Sequence, residues 1–281
     1  VPVAAISKEI SLPPDQALPI YAVALCLLYA GILVYRKMLR SVRTRGGYVR
    51  SDLFGLPDMI FVFAFVVLTL LAFTMQWIFP TAAAGGAGIQ ILTSVLFLAV
   101  PVILALMIVR GISVPTVFGL NRVNPLRALG TAAALVVLLL PVIVLVNAAA
   151  YEFLGGHAEQ QDIVKKFHEA AKAGKQDVVW RVAVMATFVA PILEEILFRG
   201  YFYPVLKRIA GPLPAAIGTS VIFGAIHDNA LGFPGLTALA LALTFAYEWS
   251  GSILVPMCMH ACFNSATLAY MWWQSAHGIA P

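Results

Sequence analysis

The chain has little charge. Only 11% of its 281 residues are Asp, Glu, Lys or Arg, against about 25% in an ordinary soluble domain, and 61% are hydrophobic. That shortage excludes a water-soluble globular class and predicts a polytopic membrane protein. Cysteine is as scarce, with Cys26, Cys258 and Cys262 alone, an odd number without a CxxC, so neither a disulfide framework nor a soluble zinc module is expected. The net charge of +5 does not gather on a soluble module. Its basic residues sit beside apolar runs as topology signals, and nucleic acid is not an expected partner.

Once the apolar runs are subtracted, no length is left for several soluble domains. The expectation is an all-α membrane helix bundle of about eight transmembrane helices, one integrated domain. Residues 1–177 would supply amino-terminal spans and an outer connector, and residues 178–281 the core that carries the ionisable side chains within its spans. The chain opens on Val1 without an initiator Met, and its first apolar run lacks the leading charges and cleavage pattern of a secretory signal.

The first span is predicted over Leu18 to about Tyr35, and six basic residues follow it, Arg36, Lys37, Arg40, Arg43, Arg45 and Arg50. By the positive-inside rule this stretch is cytoplasmic and the amino terminus lies outside. Further spans are predicted at about Pro57–Phe79, Ile89–Val109 and Leu126–Ala150, with Trp77 at an interface, Arg110, Arg122 and Arg127 in a second cytoplasmic stretch, and Pro141 kinking the fourth helix. Phe54-Gly55-Leu56 and Phe118-Gly119-Leu120 echo one another in the two basic loops, too briefly to be a repeat. The polar segment Tyr151 to Asp177 reads either as an amphipathic outer helix carrying Ile163, Val164 and Phe167, or as a solvated connector. A long fifth helix, from near Val178 to Lys207 and Arg208, should project beyond the bilayer. Helices at about Leu213–His227, Leu236–Trp249 and Ser252–Trp273 complete the eight.

Chemistry is expected between Pro191 and Asn264, where ionisable side chains interrupt apolar helices. Such placement is costly, roughly 2.5–3.5 kcal/mol per charge on insertion scales, and these groups usually pair and serve a function. Glu195 and Arg199 are four apart and share a helix face, whereas adjacent Glu194 points about 100° away. Glu195–Arg199 is therefore the structural pair and Glu194 the reactive carboxylate, with the opposite assignment open. Phe223 should stack beneath His227 by the same four-residue step, and His260 and Asn264 should face one side of the last helix. Cys258 and Cys262 lie on its far side and read as packing. On predicted depth alone, Glu194 falls near the cytoplasmic face, His227 near the outer face and His260 between them.

Glu194-Glu195-Ile196-Leu197-Phe198-Arg199, Phe223-Gly224-Ala225-Ile226-His227 and His260-Ala261-Cys262-Phe263-Asn264 resemble, in order, the EExxxR, FxxxH and HxxxN motifs of the CPBP family, the CAAX prenyl endopeptidases and bacteriocin-processing proteases also called ABI proteins. Ser250 to Leu254 with Pro256 are similar to that family's approach to its last motif. The resemblance covers about residues 180–275. It implies an intramembrane endopeptidase of a multi-pass, bacterial cytoplasmic-membrane type, a hydrolase acting on a membrane-associated or prenylated peptide. Glu194 would be general base on a water, His227 would help hold that water, and His260 with Asn264 would polarise the carbonyl, supported by Glu195, Arg199 and Phe223.

The same resemblance raises a zinc ion held by Glu194, His227 and His260. Metal-free hydrolysis is favoured at this stage, because the sequence has no HExxH and offers no evident carboxylate to orient either histidine. Two other readings stand beside the enzyme. One is a catalytically silent member serving as scaffold or binding subunit of a membrane protein complex, and the other is a transporter using the carboxylates as a proton relay. The substrate, oligomeric state and the face to which the site opens are not legible in the sequence.

Overall fold

A computed structural model of the protein describes residues 14–78, 87–154, 167 and 169–277. Among these residues every regular element is helical: α1 (Pro14–Arg45), α2 (Leu56–Ile78), α3 (Ala87–Val109), the single turn α4 (Val114–Val117), α5 (Pro125–Phe153), α6 (Gln176–Val184), α7 (Ala190–Leu197), α8 (Tyr203–Ala210), α9 (Pro212–Ala225), α10 (Phe233–Ser250) and α11 (Leu254–Ala276). Helices α6, α7 and α8 run on without a break through two π-helical turns, Met185–Val189 and Phe198–Phe202. The all-α membrane bundle is what the composition demanded.

Local chemistry sets the helix ends. α1 carries Arg43 and Arg45 in its last turn, favourable against the negative end of the helix dipole, and stops at Gly46 and Gly47, both at positive φ. It therefore continues about ten residues beyond the predicted end at Tyr35. Five of the six basic residues placed in a loop are helical, and only Arg50 lies beyond. α5 starts on Asn124, whose side chain accepts from Leu126 N, followed by Pro125. It continues as one helix through Pro141. Gly211 and Gly251, at φ 82° and 66°, end α8 and α10.

Three helical segments, Ala17–Arg45, Leu56–Met75 and Pro125–Phe153, are long and apolar enough to cross a membrane. The chain is an integral membrane protein. The tally of eight remains a reading of the sequence, and α9 departs from it. At 14 residues it rises only about 21 Å, against roughly 30 Å of hydrocarbon.

α10 is the central element, packed by α9, α5, α1 and α11, with Leu239, Ala240, Ala242, Leu243 and Ala246 buried along it. Small residues at these positions let neighbouring backbones approach, and dispersion then holds helices that lipid alone would not drive together. Gly31 of α1 lies against the Leu138 backbone of α5, where a side chain would collide. The outer face of α1 carries exposed Leu18, Ile20, Tyr21, Val23 and Leu25, a surface suited to lipid.

The stretches read as cytoplasmic meet at one end of the bundle. Tyr48 N donates to Glu248 O at 3.1 Å and Ile253 N to Phe118 O at 2.9 Å. Arg110 pairs with Asp58 at 3.0 Å, and the Tyr201 hydroxyl donates to the same carboxylate at 2.9 Å. The fully buried Glu248 carboxylate takes Lys207 Nζ, the Tyr203 hydroxyl at 2.7 Å and Val49 N at 3.2 Å. The echoing Phe54 and Phe118 are both buried in this core. Because Glu248 fastens the loop after α1 to α8 and α10, Glu248→Gln is expected to cost about 2 kcal/mol, the scale of a charged hydrogen bond replaced by a mismatched amide. Thermal unfolding in detergent should show the lower midpoint.

Of the polar connector, residues 155–166 and 168, including Ile163 and Val164, lie outside the described residues, as do residues 79–86. Phe167 is buried with Ala170, Val179 and Met271. At this point the connector is packed against α6 and α11, so the wholly solvated reading does not hold for it.

Candidate active site

Three elements bring the ionisable groups together. α7 carries Glu194 and Glu195, the turn after α9 carries His227, and α11 carries His260 and Asn264. α9 ends at Ala225, two residues short of the predicted end, so His227 sits in a turn and its Nδ1 lies 2.6 Å from Phe223 O. A carbonyl only accepts, so Nδ1 carries the proton and Nε2 is the nitrogen able to accept.

Depth resolves once helix lengths are known. Glu195 lies about 18 Å of rise from Lys207, and His227 about 22 Å from the start of α9 at the same end, taking ~1.5 Å per residue. The expected separation of these residues between opposite faces is thereby corrected. It had assumed that α9 crosses the whole bilayer.

The Glu195–Arg199 pair forms as the four-residue spacing predicts, with Nη1 2.8 Å from Oε1 and side-chain exposures of 2% and 0%. Arg199 Nη2 donates to Ala240 O at 2.8 Å and Nε to Thr244 Oγ1 at 3.4 Å, while the guanidinium lies 4.9 Å over the Phe223 ring. Such saturation is what a buried cation needs to offset lost hydration. Thr244 was not singled out from sequence. The signal was present, since Thr244 and Glu248 are polar residues one turn apart in an otherwise apolar helix.

His260 adds a contact that the sequence reading lacked. Its Nδ1 lies 3.0 Å from the same Glu195 Oε1 that receives Arg199, and its Nε2 faces Glu194 Oε2 at 3.7 Å. A carboxylate oxygen accepts, so Nδ1 donates to Glu195 and Nε2 is the nitrogen that faces Glu194. This overturns the premise that no carboxylate orients either histidine. Glu195 does so for His260.

Phe223 is the hub between the two imidazoles. Its ring centroid is 4.7 Å from that of His227, adjacent as the four-residue step predicts but tilted by 44° where stacking was expected, and 5.7 Å from that of His260, edge to face. Phe198 closes another side at 5.1 Å. Asn264 bonds to the first π-helical turn. Its Nδ2 donates to Ala186 O at 2.7 Å, a carbonyl inside the first π turn, where the wider ladder frees acceptors for side chains. Cys258 and Cys262 pack against the core around α5 and α10, as expected.

Glu194 Oε2 and Glu195 Oε2 are buried without a protein hydrogen-bond partner. Both carboxylates act on the one Arg199 guanidinium, Glu195 through a direct ion pair. The 3.7 Å gap between Glu194 Oε2 and His260 Nε2 is too long for a direct hydrogen bond and short enough for one water to contact both. As for the zinc expectation, the described residues contain no group of three His, Cys, Asp or Glu arranged to hold a metal ion. Glu194, His227 and His260 do not fit a three-ligand site as they stand.

Residues 176–266 match the family model described as type II CAAX prenyl endopeptidase Rce1-like. Over this segment the chain is similar to that endopeptidase family, in which the CPBP motifs are found. All three CPBP motifs fall inside the match, on α7, the end of α9 and α11. A Bacillus subtilis (strain 168) protein named "Putative membrane peptidase YdiL" is 33% identical over 92 residues, covering 32% of this chain and 38% of that protein. A second from the same organism, "Uncharacterized protein YpbD", is 36% identical over 81 residues, 27% of this chain and 39% of that protein. The chain spans about two fifths of the length of these curated relatives. No solved structure matches it.

Proposed function

We propose that the chain is an intramembrane endopeptidase of CAAX type that hydrolyses a peptide bond in a membrane-anchored protein or peptide. The observation that carries this reading is the buried, unpartnered Glu194 Oε2 3.7 Å from His260 Nε2, with Glu195 and Arg199 fixing the imidazole from behind.

Glu194 Oε2 and His260 Nε2 hold the water. Glu194 takes its proton as the oxygen attacks the peptide carbonyl, the tetrahedral intermediate collapses, and Glu194 returns that proton to the leaving amine. No further reactant is needed. Asn264 keeps one N–H beyond its bond to Ala186 O, the donor on hand for the oxyanion. His260 joins it only if Nε2 gains a proton. His227 flanks the same Phe223 ring and helps hold the water or the substrate carbonyl. The hydrophobic surround strengthens each of these interactions relative to water.

The test is purified protein in detergent with a farnesylated reporter peptide, the products mapped by mass spectrometry. Cleavage at one peptide bond near the lipidated residue supports the reading. No cleavage of farnesylated, acylated or unmodified transmembrane reporters, together with unaltered cellular function when Glu194, His227 and His260 are all Ala, would replace it with the scaffold reading.

A further inference from the structure

A cavity of about 590 Å³ opens at the basic end of the bundle, away from Glu194 and Glu195. Its size falls within the roughly 300–1,000 Å³ typical of small-ligand sites. Tyr48, Arg122, Asn124, Arg127, Thr131 and Trp249 line it, and no Asp or Glu does. These residues come from the loop after α1, the start of α5 and the end of α10.

Arg122 is held in place without an anion. Its guanidinium lies 5.2 Å over the Tyr48 ring. On another side it occupies the space beside Gly251, where a Cβ would come within 2.5 Å of Nη1. Arg127 sits in the first turn of α5. Neither arginine has a hydrogen bond or ion pair among the described residues, although Arg50, Arg110, Arg181, Arg199 and Lys207 all have a carboxylate. Two unpaired guanidinium groups lining one concave site call for an oxyanion that can accept paired hydrogen bonds from each fork, as a phosphate does.

We infer that this cavity binds the phosphate of an anionic membrane lipid headgroup. The placement favours a lipid over a soluble anion. The cavity lies beside the ends of two segments long and apolar enough to cross a membrane, Ala17–Arg45 and Pro125–Phe153, and Tyr48 and Trp249, 44% and 40% exposed, are the residue types that settle at the headgroup layer. Basic pockets between membrane helices on the cytoplasmic side are established headgroup sites in general. Both guanidinium groups would engage the phosphodiester, with Asn124 and Thr131 hydrogen-bonding the polar remainder. Bound lipid would brace the loop after α1 against α5 and α10, and with it the end of the bundle that Glu248 fastens.

The experiment is native mass spectrometry of the full chain extracted from phosphatidylcholine vesicles doped with phosphatidylglycerol, reading the fraction that retains one phosphatidylglycerol. Wild type should retain it, and Arg122→Gln with Arg127→Gln should lower retention about tenfold or more. Lys37→Gln with Arg40→Gln, a basic pair outside the cavity, should leave it unchanged. Because Arg122 also packs, Arg127→Gln alone serves as the variant whose fold is not at risk, and it should lower retention severalfold. Equal retention in wild type and both cavity variants overturns the inference. So does retention of inorganic phosphate without phosphatidylglycerol, which would mark a free-phosphate site. A raised KM for a reporter peptide in the cavity variants, with lipid retention unaltered, would assign the arginines to the peptide and likewise overturn it.

Discussion

Glu194→Gln is expected to lower turnover of a membrane-anchored reporter by about 10²- to 10⁴-fold, the range that a positioned general base contributes. The substitution keeps the side chain's size and removes only its ability to take a proton. Stability should not fall with activity. Glu194 Oε2 has no protein partner, so a neutral amide there relieves a buried charge, and the melting midpoint should be unchanged or higher. That opposition, activity lost and stability kept, distinguishes a reacting group from a structural one. Turnover within a few-fold of wild type would remove Glu194 as the base.

Arg199→Ala should do the reverse and damage the fold first. It strands the fully buried Glu195 carboxylate, empties the contact with Ala240 O and Thr244, and removes the cation from the Phe223 ring. Breaking one partner of a buried pair costs about 3–5 kcal/mol, which for a chain of this size is a midpoint drop on the order of 10 °C. Replacing both residues, Glu195→Met with Arg199→Met, should recover much of that stability, because no unpaired charge is then buried. It should not recover cleavage, since His260 Nδ1 has lost the carboxylate that fixes its orientation. A double variant that regained both would show that Glu195 has no part in the chemistry. Thermal unfolding and reporter cleavage on the same preparations separate the outcomes.

What was legible in the sequence was local. The Glu195–Arg199 and Phe223–His227 pairs follow from a four-residue helical step, and the basic runs named the end of the bundle at which Arg110, Lys207 and Arg208 now meet the loop after α1. What was not legible depends on how separate helices lie against each other. Nothing within α11 announces that His260 shares Glu195 Oε1 with Arg199, and the argument against a metal rested on the supposed lack of that carboxylate.

Depth failed for a related reason. Counting spans gave α9 a full crossing, whereas its Gly211-Pro212 start and its end at Ala225 leave it too short, so His227 reaches the level of Glu195. The π turns left no mark in the hydrophobic pattern, yet one supplies the Ala186 carbonyl to Asn264 and the other holds Arg199 beside Gly200, where the Phe118 ring leaves no room for a side chain.

The central claim is that Glu194 and His260 act on one water as a unit. A double-mutant cycle on kcat with Glu194→Gln and His260→Ala, each confirmed as folded, tests it most directly. Groups that work together are strongly non-additive, so the double variant should be within about threefold of the slower single variant. Losses that simply multiply would mean that the two side chains act independently, and the shared-water site would be contradicted.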